Sequence, residues 1–129
     1  MNVLSVGLDL IEIDRFRVLY GDFDPEVLAR CFTALEQTFV GTDADRLAHL
    51  ASRFAGKEAV LKTIGGLQDG IALTDVEILS NGVSPPRVEV AGGARAAAED
   101  RGIASWHLSL THSAHSAAAV ALALGSPST

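Results

Sequence analysis

The sequence predicts a single α+β domain in which several strands are combined with one dominant helix. The main evidence is one long helical pattern at residues 43–64, which ends at Gly65 and Gly66. Strand patterns lie on both sides of this helix, at residues 3–12, 75–79, 87–90, 106–111 and 117–124. The length of 129 residues suits one domain spanning residues 1–129, with a frayed tail expected at residues 126–129.

The predicted strand at residues 3–12 has two different faces, because successive side chains of a strand point to opposite sides. One face is apolar and consists of Leu4, Val6, Leu8 and Leu10. The other carries Ser5, Gly7 and Asp9. Aspartate is poorly suited to strands, and a glycine two residues earlier clears space beside it. Asp9 is therefore a candidate site residue, although an exposed position at a sheet edge is an equally good interpretation.

Three short helices are predicted between this strand and the long helix. Asp and Thr side chains cap a first helical turn, and Pro fits the first helical position. The predicted starts are Asp14 or Arg15, then Asp24 with Pro25, then Thr33. The first of these helices has Gly21 as its stop, and the third carries Glu36. Later in the chain, an alanine-rich helix is predicted at residues 93–101.

Composition and charge argue against several classes of protein. The formal net charge is −6 and no basic cluster is present, so binding to the phosphate backbone of a nucleic acid is not expected. The apolar stretch at residues 117–124 is far shorter than the roughly 20 residues of a membrane span. The first residues lack the basic segment of a signal peptide. The single cysteine, Cys31, cannot form an intrachain disulfide, which favours the cytoplasm.

The long helix contains a carboxylate in an unexpected position. On a helical wheel, four apolar residues fall within about 60° of Glu58, where a leucine would be expected. They are Leu47, Ala51, Phe54 and Leu61. A pairing of Glu58 with Lys62 one turn later is the simpler interpretation, since such pairs are common on helix surfaces. A carboxylate that faces the core must however be compensated by a cation, a metal or hydrogen bonds, and this favours a site.

Asp9 and Glu58 together form a donor set that suits Mg²⁺. This ion takes one or two carboxylates from a protein and completes its coordination with water and phosphate oxygens. Lys62 beside it could neutralise a phosphate. Two carboxylates and a lysine are typical of phosphoryl-transfer sites, although composition alone is weakly specific.

Other sites are conceivable but less well supported. His107, His112 and His115 invite a zinc site, yet His107 and His112 point to opposite faces if both lie in one strand. A hydrolase using Ser109 with His112 lacks the usual nucleophile motif. His112 could contact a phosphate or adenine, or merely cap a turn.

Four segments, in order along the chain, resemble motifs of the holo-acyl-carrier-protein synthase family. They are residues 6–9 (VGLD) followed by Glu12 and Arg15, residues 30–36 (RCFTALE), residues 53–62 (RFAGKEAVLK) and residues 107–113 (HLSLTHS). The third is similar to the most specific motif of that family, [F/W]-x-x-K-E-A-x-x-K. One such segment would be weak evidence, whereas four in order are strong.

The resemblance implies an enzyme that moves the 4′-phosphopantetheine arm of coenzyme A to a serine of a carrier protein. It implies Mg²⁺ binding by Asp9 and Glu58, and contact between Lys62 and the pyrophosphate. Arg53, His112 and the turn formed by Gly65 and Gly66 become candidate contacts for the nucleotide of coenzyme A. Glu36 lies in the second motif and is a possible helper at the site.

The resemblance also implies the fold and the assembly. The fold of this family is an antiparallel sheet packed on one long helix and several short helices. Family members of this length form homotrimers with sites between neighbouring subunits. The alternative that the sequence leaves open is a homologue that binds coenzyme A or a carrier protein without catalysis.

The first short helix is the docking surface for the carrier protein in this family. Arg15 and Arg17 are present, but Leu19, Tyr20 and Asp22 follow where more basic residues are typical. The partner could be an acyl carrier protein of fatty-acid and lipid biosynthesis, or a polyketide or peptidyl carrier domain. Because electrostatic attraction to an acidic partner should be modest, we hypothesise a dedicated or less acidic carrier.

Overall fold

The computed structural model describes residues 1–20 and 24–126. Its elements follow the predicted order and combine one 18-residue helix, α4, with four shorter helices and five strands within this part of the chain. They are β1 (Asn2–Glu12), α1 (Ile13–Leu19), α2 (Pro25–Cys31), α3 (Ala34–Val40), α4 (Arg46–Thr63), β2 (Val76–Leu79), β3 (Arg87–Val90), α5 (Gly92–Asp100), β4 (Ile103–His112) and β5 (Ser116–Gly125). None of the described helices is both long and apolar enough to cross a bilayer.

The strands form two antiparallel sheets. One has the order β1-β5-β4, and the other is the pair β2-β3. In the first sheet Asp9 of β1 lies opposite Ala119 of β5, which in turn lies opposite Leu110 of β4. Helix α4 packs across β1 and β5 of this sheet, and the remaining layers of the molecule pack around this one helix.

The predicted starts of α2 and α3 are confirmed, whereas α1 begins at Ile13, one residue before the predicted Asp14. Asp24 caps α2 by accepting a hydrogen bond from the backbone N–H of Glu26 at 2.8 Å. Thr33 and Glu36 form a reciprocal capping box at the start of α3. The predicted stop at Gly21 and residues 127–129 of the predicted tail lie outside the described residues.

Several predicted boundaries were wrong by one to three residues; strand β4, for example, begins at Ile103 rather than at residue 106. Helix α4 begins at Arg46 rather than at residue 43, because the side chain of Asp43 accepts from the backbone N–H of Asp45 and holds that segment in a turn. Strand β2 begins at Val76, because Leu73–Asp75 form one turn of 3₁₀ helix.

Small side chains line the contact between α4 and the sheet. Every second residue of β5 is a buried alanine, namely Ala117, Ala119, Ala121 and Ala123. Ala55 and Ala59 of α4 are also fully buried. Gly7 of β1 lies so close to α4 that a Cβ built on it would come within 1.8 Å of the carbonyl oxygen of Ala59. Only glycine permits this approach of one backbone to the other.

The apolar face of β1 points away from α4. Val6, Leu8 and Leu10 are more than half exposed, with Leu10 at 71%. Gly7 is buried on the opposite face. An exposed row of large apolar side chains of this kind is typical of an interaction surface.

A fully buried ion pair joins α3 to α4. The Nζ of Lys57 lies 2.7 Å from Oε1 of Glu36, and neither side chain is exposed to solvent. Lys57 also donates to the backbone carbonyls of Leu73, at 3.1 Å, and Val76. The other carboxylate oxygen of Glu36 accepts from the backbone N–H of Ile78 at 2.7 Å. The pair is therefore fully hydrogen-bonded, as buried charges must be.

Replacing Lys57 with Met should lower the free energy of unfolding by about 3–5 kcal/mol, because it leaves the Glu36 carboxylate buried without a cation. Adding Glu36→Gln should restore at least half of the loss, since glutamine removes the charge but still accepts from Ile78. Urea denaturation measures both effects. Arg95→Met is the matched control, because Arg95 forms an exposed pair with Glu99 that is worth about 0.5 kcal/mol or less. A double variant no more stable than Lys57→Met would contradict this account.

Candidate active site

Three of the predicted site residues meet where β1 crosses the second half of α4. The Nζ of Lys62 lies 3.0 Å from Oδ1 of Asp9 and donates to the carbonyl of Leu8 at 2.7 Å. The Asp9 side chain is 16% exposed, and that of Lys62 is 48% exposed. Although β1 is an edge strand, Asp9 faces α4 and not open solvent. The close approach at Gly7, on the same face of β1, brings Asp9 against the helix.

Glu58 lies beside this pair. Its position on the helical wheel predicted that it would point into the core, but it does not. It is half-buried, and the buried charge of α4 is its neighbour Lys57. The helical wheel gave the wrong direction because other elements enclose α4 on nearly all sides. Buried residues therefore lie next to the exposed part of the helix as well. Burial raises the pKa of Glu58, the charge of Asp9 raises it further, and Lys62 lowers it. Both neighbours therefore act electrostatically on this carboxylate.

The donor set fits a hard divalent cation. Asp9 and Glu58 are two carboxylates that repel each other, and this repulsion is relieved when a cation lies between them. Two carboxylates match what Mg²⁺ takes from a protein when phosphate oxygens and water supply the remaining ligands. Among the described residues no cluster of three or more His, Cys, Asp or Glu side chains could form a closed metal site.

Tyr20 is a neighbour of Glu58 that sequence reasoning missed. Its ring packs against Phe16 and Phe54 with centroid distances of 5.1 and 5.0 Å. Burial raises the pKa of the Tyr20 phenol, and the charges of Cys31 and Glu58 raise it further. The phenol thus remains a hydrogen-bond donor beside the carboxylate. No motif signals this residue, because its role depends on how α1 folds back onto α4.

Arg53 and His112 lie together in a separate cleft of about 630 Å³. Arg53 is almost buried and donates to the hydroxyl of Ser52 at 3.1 Å and to the carbonyl of Ser80 at 3.3 Å. The ring of His49 stands at 72° to that of His112 with a centroid distance of 5.9 Å. His49 was also missed from the sequence, although it precedes Arg53 by one helical turn and therefore shares its face of α4.

The two groups of site residues do not meet within one chain. Arg53 precedes Glu58 by five residues, which places their side chains about 140° apart around the helix axis. Glu58 faces Asp9 on β1, whereas Arg53 and His112 face the cleft beside β4. The chain therefore presents two separate groups of candidate site residues, here named half-sites, on different sides of α4.

Gly65 and Gly66 form the turn that ends α4, and both have positive φ values, +97° and +88°. The N–H of Gly66 donates to the carbonyl of Leu61 at 2.7 Å, as in an ordinary helix end. The guanidinium of Arg101 and the amide of Gln68 lie against Gly65. The turn begins three residues after Lys62 in the sequence.

The remaining predicted residues have distinct environments. Glu36 is fully buried against Lys57, which gives it contacts with protein groups only. Arg15 and Arg17 are exposed on α1. His107 and His112 both lie on β4, an odd number of residues apart, so the strand directs them to opposite faces.

A sequence model of the 4′-phosphopantetheinyl transferase superfamily matches residues 5–123. The chain belongs to this superfamily. The matched residues 5–123 include every residue of both half-sites. The assignment to the superfamily therefore rests on the same segments that form these half-sites.

Relatives within the superfamily agree with this assignment over nearly their full lengths. The chain is 38% identical to the holo-[acyl-carrier-protein] synthase of Streptomyces coelicolor, covering 97% of this chain and 100% of the relative. It is 39% identical to that of Frankia casuarinae, with 95% and 98% covered. The solved acyl carrier protein synthase of Mycobacterium tuberculosis is 30% identical with a TM-score of 0.72, covering 97% and 100%.

A solved complex of a synthase with coenzyme A, from Chronobacterium ammoniagenes, is 25% identical to this chain with a TM-score of 0.79. The match covers 95% of this chain and 97% of that one. The predicted phosphopantetheinyl transferase fold, an antiparallel sheet packed on one long helix and several short ones, is confirmed by these structures.

Replacing Glu58 with Gln should stabilise the protein at pH 7 when no metal is present. A carboxylate whose pKa is raised by folding opposes folding when it is charged, and this cost disappears below its ordinary pKa of 4.5. The gain should therefore vanish as the pH falls below about 4. Urea denaturation in EDTA at both pH values tests this, with the exposed Asp69→Asn as control. A loss of stability at pH 7 would instead support a simple stabilising pair with Lys62.

Proposed function

We propose that this chain is a holo-[acyl-carrier-protein] synthase, which transfers the 4′-phosphopantetheine arm of coenzyme A to a serine of a carrier protein. The observation that carries this proposal is the convergence of Asp9, Glu58 and Lys62 at the crossing of β1 and α4. Relatives named as such synthases support it, since they align with 95% or more of this chain.

The reaction requires a serine oxygen to form a bond to the β-phosphorus of coenzyme A. The bond from that phosphorus to the bridging oxygen breaks, and adenosine 3′,5′-bisphosphate leaves with the electron pair. Glu58, or a water molecule that it holds, accepts the serine proton.

Asp9 and Glu58 would hold the Mg²⁺ that this reaction needs. When bound, this ion neutralises charge on the pyrophosphate. Lys62 is placed to add a second positive charge, and its half-exposed ammonium can turn from Asp9 to a phosphate oxygen. Tyr20 can donate a hydrogen bond on the same side of α4.

We propose that the complete site forms between two copies in a homotrimer. The Asp9 half-site of one copy would be completed by the cleft of a neighbour, where Arg53 and His112 would hold the nucleotide. The exposed apolar face of β1 supports this assembly, because it adjoins Asp9 and would be covered by another subunit.

The carrier protein would dock on α1 through Arg15 and Arg17. Arg15 and Tyr20 line a groove of about 360 Å³ beside the Glu58 region. The exposed Val18 and Leu19 give this helix an apolar contribution that is independent of charge. This supports a less acidic carrier. A cytoplasmic location of the protein is in keeping with the free thiol of Cys31.

Mass spectrometry of apo carrier proteins incubated with coenzyme A, Mg²⁺ and this protein tests the proposal. Each converted carrier should gain the mass of one phosphopantetheine arm. Asp9→Ala and Glu58→Ala should each slow conversion at least 100-fold, since both remove charge stabilisation at the reacting phosphate. EDTA should stop it, and the exposed Asp69→Ala should leave the rate unchanged.

The carrier panel should include strongly acidic and less acidic members. No mass gain on any carrier, together with retained binding of coenzyme A, would favour a non-catalytic homologue instead. Equally fast conversion of the strongly acidic carriers would overturn only the hypothesis of a less acidic partner.

A further inference from the structure

The cleft that contains Arg53 and His112 has the chemistry of an anion site. His49 stands with its ring edge against His112, one helical turn before Arg53. Hydroxyl groups of Ser109 and Thr111 line the same space. Asp43 is the one carboxylate among the described residues that line this cleft. Donors thus outnumber acidic groups around it.

We propose that His49 donates a hydrogen bond to the 3′-phosphate of coenzyme A and so helps to select this donor over its dephosphorylated form. The inference rests on the proposed function. Coenzyme A carries phosphate in two places, the pyrophosphate and the 3′ position of its ribose. The pyrophosphate is the reacting group and belongs with Lys62. The 3′-phosphate therefore remains for the donors of the cleft.

Part of the donor capacity of Arg53 is already used within the protein. Its guanidinium is almost buried and already donates to Ser52 and Ser80. His49 is only partly buried, and its imidazole contacts the ring of His112 but forms no hydrogen bond with another described residue. An imidazole N–H at the wall of a cleft can form a strong, charge-assisted bond with phosphate.

Steady-state kinetics with coenzyme A and with 3′-dephospho-coenzyme A test the proposal at a fixed pH. His49→Ala should raise KM for coenzyme A about tenfold, the effect of losing one such bond, and leave kcat unchanged. KM for the dephosphorylated donor should change less than twofold. His49→Gln should recover part of the affinity because its amide N–H still donates. His115→Ala, in the exposed turn before β5, is the matched control.

An equal rise in KM for both donors, or no rise for either, would overturn the proposal. Calorimetry separates this failure from a failure of the proposed function, because it needs no turnover. His49→Ala should weaken binding of adenosine 3′,5′-bisphosphate about tenfold and leave binding of adenosine 5′-monophosphate unchanged. Unchanged binding of the bisphosphate would overturn the proposal even if the enzyme proved inactive.

Discussion

The close approach of β1 to α4 is the constraint on which the site depends. Buried alanines of β5 and α4 contribute to the contact, and at Gly7 the backbone of β1 reaches the carbonyl of Ala59 with no room for a Cβ. Asp9 lies two residues further along the same face of β1. It is therefore held against the turn of α4 that carries Glu58 and Lys62. A wider helix–sheet spacing would separate these groups, and the ion pair between Asp9 and Lys62 would not form.

The buried ion pair of Lys57 and Glu36 holds another side of α4 in place. Lys57 and Glu58 are adjacent in sequence and project about 100° apart around the helix. Because the Lys57 ammonium is held by Glu36 and by two backbone carbonyls, the rotation of α4 about its axis is set. This rotation turns Glu58 toward Asp9 and Arg53 toward the cleft beside β4. The same helix thus contributes to two half-sites. Residues of this helix also belong to both clusters of core residues, and we therefore propose that the chain is one domain.

Much of this organisation was predictable from sequence because it rests on local patterns. Alternation along residues 3–12 identified Gly7 and Asp9 as a separate face of β1, and capping residues identified the starts of α2 and α3. The direction of Glu58 was not predictable, because a helical wheel counts neighbours along one chain and omits the elements that enclose the helix. Lys57 was overlooked as the buried charge for the same reason, since its partner Glu36 comes from another helix. Tyr20 and His49 escaped because only tertiary packing brings them to Glu58 and His112.

The central claim is that two half-sites on different sides of α4 combine between copies of the chain. A crystal structure with coenzyme A and Mn²⁺, recorded at a wavelength where manganese scatters anomalously, tests it most directly. The account predicts an anomalous peak between Asp9 and Glu58 of one copy, with the adenine nucleotide of the same ligand on Arg53 and His112 of a neighbouring copy. A metal bound elsewhere, or a ligand whose nucleotide and metal both lie on one copy, would contradict it.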